Sequence, residues 1–129
     1  MAEPVTVRLL LVEDDLEDVE TIRRFLEKPG GRSDYRLTTA NRLQDGLKIL
    51  KQEPFDLILL DLMLPDSDGF DTLTQFLEKA PKTPIIVITG HQDLAEQAKA
   101  FGAVDCLFKG VYSADSLKRV IGYALLARE

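Results

Sequence analysis

55-FDLILLDLML-64 is the most apolar run in the chain, and 65-PDSDG-69 ends it with a dense cluster of turn residues. A nearly continuous apolar run of this kind reads as a strand of a parallel sheet covered on both faces. One residue disagrees with its surroundings. Asp61 lies between 57-LILL-60 and 62-LML-64, where a carboxylate is desolvated at real cost unless it has a partner.

Working outward, the same alternation recurs on both sides. Upstream, 5-VTVRLLLV-12 is a first strand that stops at Glu13, Asp14 and Asp15, and Val19, Ile22, Phe25 and Leu26 then take up helical spacing until 29-PGG-31. The weaker run 35-YRLTTA-40 predicts a strand nearer an edge, and Leu43, Leu47 and Leu50 mark a second helix ending before Pro54. Downstream, Phe70, Leu73, Phe76 and Leu77 predict a third helix closed by Pro81 and Pro84. Then 85-IIVIT-89 is a strand, Leu94, Ala98 and Phe101 a short helix, 106-CLFK-109 a strand, and Leu117, Val120, Ile121, Ala124 and Leu125 a last helix to the chain end.

Five strands alternating with five helices call for an α/β fold with helices on both faces of a parallel sheet, because parallel neighbours need a right-handed crossover. The expected arrangement is a doubly wound, flavodoxin-like (βα)5 sandwich with sheet order 2-1-3-4-5. Strands 1 and 3 are then neighbours at the switch point, where ligands bind beyond the carboxyl ends of the strands. No repeat, low-complexity tract or linker divides the chain, so residues 1–129 are expected to form one domain.

Composition narrows the function. Sixteen Lys and Arg against 22 Asp and Glu give a formal charge of -6, which disfavours non-specific binding to nucleic acid or an anionic membrane. Cys106 has no partner for an internal disulfide, and no apolar run approaches the roughly 20 residues of a membrane span. The N-terminus has Glu3 before any basic residue and does not read as a signal peptide, so a cytoplasmic location is the default expectation.

The polar residues that interrupt the apolar runs all fall at strand ends. Strand 1 delivers Glu13, Asp14 and Asp15, strand 3 Asp61, strand 4 Thr89 and strand 5 Lys109. Each has an ordinary reading: a solvated turn with an Asp capping the next helix, a Thr cap, a lysine snorkelling from a strand end. The predicted topology puts all of them around one crevice, which favours a site. Clustered carboxylates must be relieved by protons or a cation. All-oxygen ligation with few protein contacts suits Mg²⁺, with Asp14 and Asp61 as direct ligands and Glu13 bound through water. An aspartate beside that cation can attack a phosphoryl group, with Lys109 and Thr89 as donors to the developing charge. No GxxxxGK[ST] loop is present, no His and Ser pairing suggests a hydrolase triad, and Met63 stands where a DxDxT phosphatase needs its second Asp. His91 reads as a solvent-facing residue at a helix start.

With 9-LLLVEDD-15, 56-DLILLDLMLPDSDG-69, 85-IIVITG-90 and 103-AVDCLFKG-110 in this order, the chain resembles the receiver domains of two-component response regulators over essentially its whole length. The resemblance implies Asp61 as phosphoacceptor, Glu13 and Asp14 as the acidic pocket, the backbone carbonyl of Met63 as a further Mg²⁺ ligand, and Thr89 and Lys109 as contacts to the phosphoryl group. It also implies a histidine kinase or histidine phosphotransfer protein as donor, a partly self-catalysed phosphorylation and dephosphorylation, and an output or homodimer surface on helix 4, strand 5 and helix 5. Three positions depart from the family pattern. Gly110 replaces the proline after the lysine and removes the main reason for a cis bond, Cys106 is too small for the aromatic switch, and the 20 positions from Thr89 to Lys109 leave a short fourth helix. Those departures motivate an alternative reading, a pseudo-receiver that docks a partner without phosphorylation.

Overall fold

The computed structural model describes residues 5–30 and 33–127. Gly31, expected to help stop the first helix, and the last two residues of the chain lie outside that range. The main-sheet strands are β1 (Val5–Val12), β2 (Ser33–Ala40) and β3 (Leu57–Leu60); a short pair, β4 (Met63–Leu64) and β5 (Ser67–Asp68), follows before β6 (Ile85–Thr89) and β7 (Asp105–Phe108). Five helices connect them: α1 (Leu16–Glu27), α2 (Leu43–Gln52), α3 (Phe70–Lys79), α4 (Gln92–Gln97), which continues as a 3-10 turn over Ala98–Phe101, and α5 (Ala114–Ala127).

The main sheet is parallel throughout and ordered β2-β1-β3-β6-β7. This is the flavodoxin-like order expected from the sequence, once the β4–β5 pair is set aside. That pair is the main correction to the run 55–64. Strand pairing in the main sheet is confined to Leu57–Leu60, and the chain beyond Asp61 turns into an antiparallel hairpin in which Met63 faces Asp68. The turn residues Pro65 and Asp66 therefore close a hairpin tip rather than a simple loop.

Alternation along the central strands divides the core in two. Leu10, Val12, Ile58, Leu60 and Val87 face α2 and α3, where they meet Leu43, Leu47, Leu73 and Phe76. Leu9, Leu11, Leu57, Leu59, Ile86 and Ile88 face α1 and α5, where they meet Val19, Ile22, Leu117 and Ile121. Both faces of each strand are filled, which is why the runs read as continuously apolar. Gly46 lets α2 settle against this layer, since a Cβ there would lie 2.9 Å from Phe76 Cζ and 3.1 Å from Val12 Cγ2. The result is a rigid platform whose carboxyl edge carries the polar residues.

Candidate functional site

The crevice lies where β1 and β3 end side by side. Past the last residue of β1, Glu13 N–H donates to Ala40 O at 2.9 Å; past the last residue of β3, Asp61 N–H donates to Val12 O at 3.0 Å. Each acid therefore extends the parallel ladder by one residue, and its side chain is carried into the protein: Glu13 is 3% exposed and Asp61 4%. The reading of 13-EDD-15 as a solvated turn fails for Glu13 for this reason and holds for its neighbours. Asp15 caps α1, accepting from Glu17 N at 2.8 Å and Asp18 N at 3.3 Å. Asp14 is exposed. Together, one carboxylate oxygen each from Glu13, Asp14 and Asp61 lie within 4.8 Å of one another.

Lys109 enters from the other side. Its backbone N–H donates to Thr89 O at 2.8 Å, and Val111 N–H donates to Phe108 O at 3.2 Å, so Lys109 and Gly110 form the centre of a turn just past β7. Gly110 has φ +83°, as the third position of a type II turn requires and as proline cannot adopt. The described residues hold no cis peptide bond. The turn sends the lysine inward rather than to solvent. Its Nζ lies 2.8 Å from Glu13 Oε1, 2.8 Å from Asp18 Oδ2 and 3.0 Å from Asp61 Oδ2.

Thr89 ends β6 and is fully buried; its hydroxyl oxygen accepts from His91 N–H at 3.1 Å. It fixes the turn into α4 without serving as the N-cap, which is His91, an exposed residue with no side-chain cap bond. Met63 stands two residues past Asp61, with its backbone N–H donating to Asp61 Oδ1 at 3.1 Å. Cys106 is half-buried on β7, where burial and the nearby Asp105 carboxylate push its thiol up to about 11.

Charge is unbalanced here. Burial pushes the Glu13 carboxyl up to about 8, and its contact with Asp61 adds to the rise while Lys109 opposes it. Burial works against the charge on Lys109, but the hydrogen bonds it donates to Asp18 and Glu13 and the field of Asp61 outweigh it and raise its pKa. Burial and then Asp18 push the neighbouring Tyr112 phenol up to about 12. One ammonium thus serves several carboxylates, and a proton on Glu13 or a bound cation relieves what remains. The donor set is all oxygen and partly open to water, which fits a hard divalent cation.

The family model for the response regulator receiver domain matches residues 9–121, the span that holds every residue of this crevice. The chain belongs to the response regulator receiver domain family. This receiver is 37% identical over 120 residues to the response regulator protein PilR of Pseudomonas aeruginosa, an alignment that covers 92% of the chain and 26% of PilR. It is 32% identical over 116 residues to the cell cycle transcriptional regulator CtrA of Caulobacter vibrioides, covering 88% of the chain and 48% of CtrA. The receiver therefore spans between about a quarter and about half of the length of these curated relatives. Among solved structures, the beryllofluoride-activated NtrC4 receiver domain dimer superposes with a TM-score of 0.80 at 31% identity, over 95% of this chain and 98% of that one. A response regulator receiver domain protein from Clostridium thermocellum gives 0.80 at 27% identity, over 95% and 96%.

Two contributors escaped the sequence reading. Asp18 reads in sequence as one more acid in the first turn of α1; only the inward path of Lys109 reveals that it faces the crevice. Asp66, at the hairpin tip, accepts from Leu43 N at 2.8 Å and Gln44 N at 3.1 Å and so caps α2 from 23 residues away. The helix's own N-cap, Arg42, has no side-chain cap bond, and that missing cap is the one signal the sequence offered. Among the described residues, no helix is long and apolar enough to cross a membrane.

Proposed function

We propose that residues 1–129 act as one phosphoacceptor switch of a two-component phosphorelay, with Asp61 taking a phosphoryl group from a phosphohistidine on a kinase or phosphotransfer protein. The observation that carries this reading is the meeting of Glu13, Asp14 and Asp61 oxygens within 4.8 Å beside an ammonium held 3.0 Å from Asp61. In the transfer, the N–P bond of the donor breaks as a bond forms between phosphorus and an Asp61 carboxylate oxygen, and the imidazole leaves with the electron pair. Glu13, Asp14, Asp61 and the Met63 backbone carbonyl would hold Mg²⁺. When bound, that ion neutralises charge on the phosphoryl oxygens.

The chain's own residues do the rest. Met63 N–H donates to Asp61 Oδ1, which leaves Oδ2 on the Lys109 side of the carboxylate. Lys109 supplies a positive charge where charge develops, and Thr89 offers a hydroxyl at the end of β6. The transferred group is hydrolysed later by water, returning Asp61 to its free form. A change in partner binding is the output, and a homodimer through α4, β7 and α5 is one form it can take. Domains of this kind work in the cytoplasm, where the donor kinases present their histidines.

Intact-mass measurement with a small phosphodonor tests this. The expected result is a Mg²⁺-dependent gain of one phosphoryl group in the parent and none in Asp61→Asn. An unmodified parent would refute the reading, and partner binding indifferent to both the donor and Asp61→Asn would mark a module that docks without phosphorylation.

A further inference from the structure

The Lys109 ammonium has three hydrogens, and the structure offers it three carboxylates: Glu13 at 2.8 Å, Asp18 at 2.8 Å and Asp61 at 3.0 Å. Two of these belong to the group of acids that can hold a cation, and Asp18 does not. Once a cation engages Glu13 and a phosphoryl group sits on Asp61, those two oxygens have other partners. Of the three carboxylates, Asp18 alone then stays free to hold the lysine while the ammonium faces the phosphoryl oxygens.

Its backbone is well suited to that work. Asp18 stands in the first turn of α1, its N–H bound to the capping carboxylate of Asp15 at 3.3 Å, and the next residue, Val19, is buried in the core. A negative charge is also favoured at a helix N-terminus. By contrast, Lys109 lies within the glycine-containing turn after β7 and reaches the crevice on a flexible four-carbon stem. Its side chain is 23% exposed against 32% for Asp18, so the pair is partly shielded from water and salt.

We infer that Asp18 is a positioning residue for Lys109, a carboxylate on the helix side of the crevice that keeps the ammonium aimed at Asp61 before and after modification. The inference rests on the phosphoacceptor reading above and adds to it a residue outside the acid cluster. It acts through a hydrogen bond of fixed direction, so an amide at the same place retains most of the effect and a methyl group does not. A residue that merely contributed field would treat the two alike.

The test has two arms. In ¹⁵N NMR of the Lys109 ammonium, without any phosphodonor, the parent and Asp18→Asn should show a slowly exchanging, hydrogen-bonded signal that Asp18→Ala broadens or loses. With a saturating small phosphodonor and Mg²⁺, Asp18→Ala should be phosphorylated about tenfold more slowly than the parent, while Asp18→Asn stays within about threefold. In a Lys109→Ala background, Asp18→Ala should add no further loss. Equal rates for the Ala and Asn variants, or a full Asp18→Ala effect without Lys109, would overturn the inference. An unmodified parent with an Asp18-dependent ammonium signal would instead refute the phosphoacceptor reading and leave the positioning role standing.

Discussion

Helices α1 and α4 both start at the carboxyl edge of the sheet, and they are anchored very differently. The first runs for 12 residues, is capped by the Asp15 carboxylate and buries Val19, Ile22 and Leu26. The second runs for six, has no side-chain cap bond, contains no buried residue, and gives way to a 3-10 turn in which only Ala98 is buried. The crevice is built against the well-anchored helix, whose first turn supplies Asp18 to the lysine. On the weakly anchored side, one hydrogen bond from His91 N–H to the Thr89 hydroxyl ties the start of α4 to β6. Chemistry needs fixed distances and sits on the rigid side; a segment that must respond to chemistry is drawn from the less stable side.

That contrast can be broken by substitution. Ile22→Ala, in the fully buried face of α1, should cost about 2–5 kcal/mol in denaturant unfolding, whereas Leu94→Ala on α4 should cost about 1 kcal/mol or less. Comparable losses would show α4 to be anchored as firmly as α1. Native-state hydrogen exchange sharpens the same point: amides of Leu10 and Leu59 should exchange at least about a hundredfold more slowly than those of Ala95 and Glu96. Smaller still, removing the cap by Asp15→Ala should destabilise by about 1 kcal/mol, and His91→Ala at the corresponding place on α4 should stay within about 0.5 kcal/mol.

A separate effect is expected with pH. Because burial raises the Glu13 carboxyl from 4.5 to about 8, its protonated form belongs to the folded state, and the stability it contributes is lost as pH rises through that range. Thermal melts with a chelator should therefore fall between pH 5 and 8, and Mg²⁺ should remove the fall by taking the proton's place. Parallel curves with and without the ion would argue against a cation at Glu13.

Much of this was legible in the sequence because buried parallel strands leave an unmistakable apolar signature. The five main strands, the order of the sheet and the positions of Asp61, Thr89 and Lys109 all follow from where those runs stop. What escaped depends on tertiary geometry. The Lys109–Asp18 pair spans α1 and the turn after β7, and nothing in 16-LED-18 marks one acid as inward. The hairpin after Asp61 is hidden because Leu62 and Leu64 are as apolar as the strand before them, although their backbone has left the main sheet. The 3-10 turn at Ala98–Phe101 is equally silent in sequence, yet it stacks Phe101 on Phe70 at 4.0 Å between ring centroids and 5° between planes. Cys106 cannot act as an aromatic switch, and this stack joins the start of α3, just past the β4–β5 hairpin, to the end of the α4 segment.

The central claim is that the crevice takes the phosphoryl group and that the weakly anchored side responds. Backbone amide shifts on adding beryllofluoride, a phosphoryl mimic, in the presence of Mg²⁺ test both halves at once. The account predicts large changes at Asp61, Thr89 and Lys109 that spread through residues 91–101 and spare the body of α1 beyond its first turn. A spectrum unchanged at Asp61 and Lys109 would contradict it.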